Sequence, residues 1–233
     1  MLSVKGLEVS RGHGTHVFRV QLPQLDLAAG QILAVTGASG CGKSTLLEAL
    51  GLLLQPESVD SFFLGQPSRD IKALYAAKQE SELAHWRARS LGFVLQNGGL
   101  LPYLSVWENI VLPRRILGLP LHAPHLDVAI HILKLERLLS LYPAALSIGE
   151  RQRVSFSRAI AHAPGLILAD EPTAALDPQT AQDVFQLFFT LAHDLDLAVL
   201  LVSHDWDMLR SFAIPRLQAT LEPGLSMFVP EPS

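Results

Sequence analysis

Apolar residues along the chain form short continuous runs that alternate with longer stretches of helical spacing. The continuous runs predict buried strands at residues 31–35, 91–95, 166–169 and 198–202. A strand covered on both faces of a sheet has no polar side, which explains such runs. The helical spacing predicts helices at residues 43–54, 150–162 and 178–194, and a mostly helical region at 106–139 that prolines interrupt. This alternation predicts an α/β protein with a mainly parallel sheet.

The two ends of the chain have a different pattern, in which strands follow one another without helices. Short alternating segments predict strands at residues 4–10, 17–20 and 25–27 near the N-terminus. Near the C-terminus, segments 216–221 and 225–229 flank Pro223-Gly224, a pair typical of a hairpin turn. We therefore expect antiparallel strands beside the parallel sheet.

Composition narrows the class of protein. The 233 residues are 49% hydrophobic and 17% charged, which is enough for one compact core. Eighteen basic against 22 acidic residues give a net charge of -4 and predict that the protein does not bind nucleic acid. The single cysteine, Cys41, and the lack of a signal-peptide pattern predict a cytosolic protein. No apolar run is long enough to predict a membrane span, but a mean hydropathy of +0.29 leaves room for an apolar docking surface.

A glycine-rich segment lies between the strand at 31–35 and the helix that begins at Lys43. Residues 37–44 match the pattern G-x-x-x-x-G-K-[S/T], whose backbone amides cradle phosphate oxygens. Lys43 would neutralise the β- and γ-phosphates, and the Ser44 hydroxyl would bind Mg²⁺. The predicted nucleotide contacts are Gly37, Ala38, Ser39, Gly40, Cys41, Gly42, Lys43, Ser44 and Thr45. For Cys41 two interpretations are open: a small residue that fits the loop, or a reactive regulatory thiol.

Two consecutive carboxylates, Asp170 and Glu171, end the strand at 166–169. Consecutive side chains leave a strand in different directions, so one can serve a metal and the other a water. We expect Asp170 to hold Mg²⁺ and Glu171 to act as the general base that polarises the attacking water. A solvated acidic turn would be the interpretation if no phosphate loop preceded it.

Four further motifs follow the phosphate loop in order. They are Gln96 after the strand at 91–95, Leu-Ser-Ile-Gly-Glu at 146–150, Ala-Leu-Asp at 175–177, and His204. With the phosphate loop and the carboxylates, they resemble the ATP-binding subunit of ABC transporters over nearly the whole chain. The resemblance implies a nucleoside triphosphatase core in one domain (residues 1–233), an N-terminal antiparallel β subdomain, and a helical subdomain inserted at about 98–160.

The same resemblance implies how the motifs share the chemistry. ATP on the phosphate loop of one copy is capped by Ser147 and Gly149 of a second copy, in a head-to-tail homodimer. Asp177 contacts the opposite copy. Gln96 touches Mg²⁺ or the attacking water, and His204 contacts the γ-phosphate. Since Ser147 precedes a predicted helix, its hydroxyl and the helix amides suit an anion.

Two positions depart from the family pattern. Ile148 stands where the signature usually has glycine, and a β-branched residue resists positive φ and adds bulk beside the γ-phosphate cap. Arg11 stands where family members usually place an aromatic residue on the adenine. A guanidinium plane can stack on a purine, so Arg11 is either an adenine contact or an ordinary solvated arginine.

The segment at 91–109 is similar to the subgroup that powers lipoprotein release, macrolide export and related mechanical work on the outer side of a bacterial inner membrane. That resemblance implies a groove for a helix of an integral-membrane subunit, with contacts from Leu100, Leu101, Tyr103, Leu104 and Trp107. Trp107 has a second interpretation, packing inside the helical subdomain. We expect a peripheral protein on the cytoplasmic face of the membrane.

The function expected from these observations is ATP binding and Mg²⁺-dependent hydrolysis that energises a membrane transporter. An alternative is a regulatory subunit that signals to a membrane partner without moving a solute. Soluble ABC ATPases of DNA repair or translation are disfavoured, because the chain has one phosphate loop, no heptads and no basic patch.

Overall fold

One mixed sheet forms the frame of the molecule. The computed structural model describes residues 1–12 and 17–231. Within these ranges ten strands pair in the order β5-β4-β1-β2-β10-β9-β3-β8-β7-β6. In chain order they are β1 (Leu2–Arg11), β2 (Phe18–Leu27), β3 (Ile32–Thr36), β4 (Ser61–Leu64), β5 (Arg69–Asp70), β6 (Leu91–Val94), β7 (Leu166–Asp170), β8 (Ala198–Val202), β9 (Arg216–Glu222) and β10 (Leu225–Pro230).

The half of the sheet formed by β9, β3, β8, β7 and β6 is parallel. Along β8, Ala198, Leu200 and Val202 face one apolar core, while Val199 and Leu201 face the other. Both faces are therefore buried, which explains the continuous apolar runs. The predicted mainly parallel core is confirmed.

The other half is largely antiparallel, with β1 paired to both β2 and β4 and β9 paired to β10. The prediction of two short strands at 17–20 and 25–27 is wrong, because β2 runs unbroken through Pro23. Its pairing with β10 ends at Gln21, so the missing amide of Pro23 costs no hydrogen bond on that side.

The helices cover both faces of the sheet. They are α1 (Lys43–Leu50), α2 (Ile71–Ala76), α3 (Glu80–Ser90), α4 (Val106–Ile116), α5 (Pro124–Ile132), α6 (Ile148–Ile160), α7 (Pro178–Asp194) and α8 (Trp206–Ser211). Helix α1 was predicted to reach residue 54 but ends at Leu50. Gly51 follows, and Leu52 has a left-handed backbone with φ 57°, which a helix cannot continue.

The region between β6 and β7 contains α4, α5 and α6, with 3₁₀ turns at Glu136–Leu138 and Pro143–Ala145 between α5 and α6. Its buried leucines, valines and isoleucines pack with α7 in one core. The inserted helical subdomain at 98–160 corresponds to this region and stays a prediction as a separate unit. The elements β4, β5, α2, α3 and α8 were not predicted.

Candidate active site

The phosphate loop connects β3 to α1 at the carboxyl edge of the parallel strands. Gly42 caps α1 with φ 88°, and a Cβ at this position would come within 2.4 Å of the Val20 side chain. Both the left-handed backbone and the close approach of β2 therefore demand glycine. Ser44 is exposed on the first turn of α1, whereas Thr45 is buried. Helix α1 thus presents its N-terminus to the loop, the arrangement that binds phosphate.

Lys43 folds back over the loop. Its Nζ donates to the carbonyl oxygens of Gly37 at 3.0 Å and Ala38 at 2.9 Å, and lies 3.9 Å from the Sγ of Cys41. This brings the ammonium group to the concave side of the backbone turn, where a phosphate would meet it. Cys41 is 1% exposed and belongs to the apolar core under α1. Burial supports the interpretation of Cys41 as a small residue that fits the loop.

Of the three predicted catalytic side chains, Glu171 contacts both of the others. Glu171 Oε1 lies 2.5 Å from His204 Nε2, and Glu171 Oε2 accepts a hydrogen bond of 3.3 Å from Gln96 Nε2. Each residue follows a parallel strand, Gln96 after β6, Glu171 after β7 and His204 after β8. These strands are neighbours, so their carboxyl ends meet at one edge of the sheet. A carboxylate held between an imidazole and an amide is oriented to accept a proton from water.

The backbone aims Glu171 into this cluster. Its φ is 47°, a left-handed conformation, and its amide donates to the carbonyl of Val202 at 3.0 Å. Asp170 ends β7 one residue earlier and is half-buried. The chain therefore turns between the two carboxylates, which separates the predicted metal ligand from the predicted base.

The signature sequence forms the N-terminus of α6. Ser147 is the N-cap: its hydroxyl accepts from the Glu150 amide, and the Glu150 carboxylate accepts from the Ser147 amide. This reciprocal bonding lowers the pKa of Glu150. Gly149 is buried against α7, where a Cβ would lie 3.0 Å from the Thr180 side chain.

Ile148 is the first residue of α6, and its φ is not among the positive values of the described residues. The expected conflict between a β-branched residue and positive φ is therefore wrong, because this position is helical. The other expectation, that the Ile148 side chain adds bulk beside the γ-phosphate cap, stays a prediction. This side chain is 44% exposed at the start of α6.

Asp177 and Arg11, the other two predicted nucleotide contacts, each have a partner within the chain. Asp177 caps α7 and accepts from the Thr180 amide at 3.1 Å. Hydrogen bonds from the Thr180 side chain and then from its amide lower the pKa of the Asp177 carboxyl. Arg11 pairs with Phe18 in the β1–β2 register and makes an ion pair with Glu48 on α1. The guanidinium is therefore held against the helix that follows the phosphate loop.

An apolar groove of about 450 Å³ lies beside the loop that follows Gln96. Its lining includes Leu53, Leu95, Leu101, Leu112 and Ile116. Of the five predicted docking residues, Leu101 lines this groove.

Trp107 stacks on His122 with ring centroids 4.8 Å apart and packs on the helical core, which favours its packing interpretation. Leu100 packs on the same core, Leu104 is half-buried and Tyr103 is 71% exposed.

Sequence reasoning missed two residues of α6 that hold the Gln96 loop. Gln152 donates to the Gln96 carbonyl, and Arg158 donates to the carbonyls of Gly98 and Gly99. These contacts join residues 56 to 60 positions apart. No local pattern reports a bond from a side chain to a distant backbone carbonyl.

Comparison with known families decides the identity of the fold. Residues 20–174 match the family model described as ABC transporter. The chain belongs to the ABC transporter family. It is therefore an ATP-binding and ATP-hydrolysing subunit, and the resemblance inferred from the motifs is confirmed.

Relatives place the chain more closely. It is 42% identical over 181 residues to the lipoprotein-releasing system ATP-binding protein LolD of Idiomarina loihiensis, covering 77% of this chain and 76% of that one. LolD of Paramagnetospirillum magneticum is also 42% identical, over 187 residues and 79% of each chain. Among solved structures, the dimeric post-hydrolysis state of the cassette MJ0796 bound to ADP and Pi has a TM-score of 0.80 and 28% identity, covering 97% of this chain and 96% of that chain.

Among the helices within residues 1–12 and 17–231, none is both long enough and apolar enough to span a membrane.

Proposed function

We propose that two copies of this chain assemble head to tail and sandwich ATP between the phosphate loop of one and the signature helix of the other. Within the described residues, no hydrogen bond joins Ser147 or Gly149 to the phosphate loop of the same chain. The exposed N-terminus of α6 is an anion-binding end that a phosphate of a second copy would satisfy. Asp177 would face that copy. ATP contacts both halves only when they are closed, so it biases the pair toward closure.

We propose Mg²⁺ as the metal that accompanies ATP. Its ligands would be the hydroxyl of Ser44, the amide oxygen of Gln96 and the carboxylate of Asp170. All three are hard oxygen donors, the type that Mg²⁺ prefers. The ion would neutralise charge on the β- and γ-phosphates. Glu171 would accept the proton of the attacking water, His204 would contact the γ-phosphate, and Arg11 would stack on the adenine.

We propose that the subunit works at the cytoplasmic face of a bacterial inner membrane, bound to an integral-membrane protein of the lipoprotein-releasing type. The observation that carries this is the apolar groove beside the Gln96 loop, in a chain about 40% identical to LolD proteins. The groove suits an amphipathic helix, which would bury its apolar face there. The cationic side chains in its lining are those of Arg87 and Arg158, and the lining contains no carboxylate.

The test is a pull-down of tagged Glu171→Gln protein from detergent-solubilised native membranes, with ATP and Mg²⁺. This variant should bind ATP but hydrolyse it at least about 100-fold more slowly, because the general base is lost. It should therefore elute as a dimer from a sizing column. We expect a membrane subunit with a large extracytoplasmic domain to co-purify.

A matched pair of surface variants locates the contact. Ile116→Asp places a charge in the groove, where Ile116 is 69% exposed, and should remove the co-purifying subunit. Val128→Asp changes an aliphatic residue that is 51% exposed on α5 and does not line the groove. It should keep the partner. Loss of the partner in both variants, or in neither, would contradict the groove as the docking site.

A further inference from the structure

An arginine on α6 binds the loop that follows Gln96 at two points. Arg158 on α6 donates from Nη1 to the Gly99 carbonyl and from Nη2 to the Gly98 carbonyl, both at 2.8 Å. A guanidinium presents its donors in a rigid plane, so two bonds to consecutive carbonyls fix both the distance and the orientation of this backbone.

The loop is built to accept this clamp. Gly98 and Gly99 have φ values of 73° and 55°, a left-handed pair that most side chains would resist. The Gly98 amide closes the turn by donating to the Leu95 carbonyl at 2.8 Å. Two residues before the clamp, the Gln96 carbonyl accepts from Gln152, whose side chain is 1% exposed. Helix α6 thus holds this loop at three carbonyls, those of Gln96, Gly98 and Gly99.

The clamp reaches the hydrolytic cluster through one side chain. Gln96 is fixed by its backbone, and its amide donates to Glu171 Oε2 at 3.3 Å. Arg158 makes no hydrogen bond to Glu171 or His204 within the described residues, so an effect on hydrolysis would pass through Gln96. Burial lowers the pKa of Arg158, because it removes water from around the guanidinium.

We propose that Arg158 is a positioning residue for ATP hydrolysis, and that its bidentate bond to the Gly98–Gly99 backbone sets the place of Gln96 beside the general base. This inference rests on the proposed function, because it takes Glu171, Gln96 and His204 as the residues of the hydrolytic site. Arg158 also lines the docking groove, so a group bound there would meet the same guanidinium.

The test is a double-mutant cycle on purified protein with saturating Mg²⁺, in which kcat and the KM for ATP are measured separately. Arg158→Met keeps the apolar stem and removes the donors. We expect kcat to fall about tenfold and KM to change less than twofold, because a misplaced group costs rate rather than nucleotide affinity. Gln96→Ala alone should lower kcat, and adding Arg158→Met to it should lower kcat no further, because Arg158 acts through Gln96.

Arg114→Met is the matched control. Arg114 also donates to two backbone carbonyls, those of Pro120 and Ala161, but donates no hydrogen bond to the Gln96 loop and does not itself line the groove. It should lower the thermal midpoint while kcat per folded molecule stays within twofold of wild type. Arg158→Lys, which retains the charge and can reach one carbonyl, should give an intermediate kcat and serves in the cycle if Arg158→Met does not fold.

Two results would overturn the inference. One is an unchanged kcat in Arg158→Met, and the other is a double variant whose loss equals the product of the two single losses. Wild-type protein that hydrolyses no ATP, or Glu171→Gln protein that hydrolyses it normally, would instead contradict the assigned hydrolytic site. The two failures are therefore distinguishable.

Discussion

Helices α4 and α6 both begin with a capping box of four residues, but their N-termini lie in different surroundings. Helix α4 starts at Ser105-Val-Trp-Glu108 and helix α6 at Ser147-Ile-Gly-Glu150. In both, the serine hydroxyl accepts from the glutamate amide and the glutamate carboxylate accepts from the serine amide. Locally, the two N-termini are equivalent.

Their surroundings differ. The first two amides of α4, those of Val106 and Trp107, donate to the carbonyls of Leu141 and Leu139 at 2.8 and 2.9 Å. Val106 is fully buried. At α6 the corresponding Ile148 is 44% exposed, and within the described residues the amides of Ile148 and Gly149 donate to no carbonyl.

The comparison teaches that a capped helix end becomes an anion site only when tertiary structure leaves its amides free. The chain itself satisfies the amides of α4, so this end is structural. The amides of Ile148 and Gly149 make no such bond within the described residues, so the proposed phosphate of a second copy can accept from them.

The largest expected difference is in the free energy of unfolding, when the first residue of each helix is replaced by glycine. Val106→Gly should lower the free energy of unfolding by about 3 kcal/mol, because a fully buried side chain leaves a cavity. Ile148→Gly should cost less than about 1 kcal/mol, and should raise basal ATP turnover two- to threefold by clearing bulk from the phosphate cap. Urea unfolding and a steady-state ATPase assay measure both. Equal or lower turnover in Ile148→Gly would show that this bulk is harmless.

The serines give a second, smaller contrast. Ser105→Ala and Ser147→Ala each remove one cap and should each cost about 1 kcal/mol of stability. Ser147→Ala should also lower ATP turnover about tenfold, because its hydroxyl is proposed to contact nucleotide in the partner copy. Ser105→Ala should affect unfolding far more than turnover. If both variants lose turnover to the same degree, the functional difference between the two helix ends is refuted.

The smallest effect concerns pH. Hydrogen bonds from the respective serines lower the pKa of Glu108 and of Glu150 below the ordinary value of 4.5. Each carboxylate therefore adds stability above about pH 4.5, and this stability is lost as the pH falls through the folded-state pKa. Glu108→Gln and Glu150→Gln keep an acceptor but do not titrate, so each should flatten the acid limb of the unfolding profile slightly. An acid limb as steep as in wild type would contradict this.

The local parts of the candidate site could be predicted from the sequence, because each is formed by consecutive residues. These parts are the phosphate loop, the Asp170-Glu171 pair and the N-cap at Ser147. The meeting of Gln96, Glu171 and His204 follows from parallel strands that share an edge. The Arg158 clamp could not be predicted, since it depends on tertiary approach between α6 and a loop about 60 residues earlier.

In the fold, prediction succeeded where burial was strong. Helix α7 matches its predicted bounds, Pro178–Asp194, because a proline starts it and an apolar stripe runs along it. The region from β4 to α3 was missed for the opposite reason: β5 has two residues, and α3 buries only Leu83 and Ser90. Asp70, whose side chain caps α2, was the available signal.

The left-handed backbone of Glu171 has an evolutionary consequence. A residue with a Cβ is strained at a φ of 47°, by about 1 kcal/mol, and glycine is not. The fold would therefore gain stability by losing the side chain that we propose as the general base. Selection for activity would then oppose selection for stability at this position. In a descendant that no longer turned over ATP, this position would be among the first to drift toward glycine.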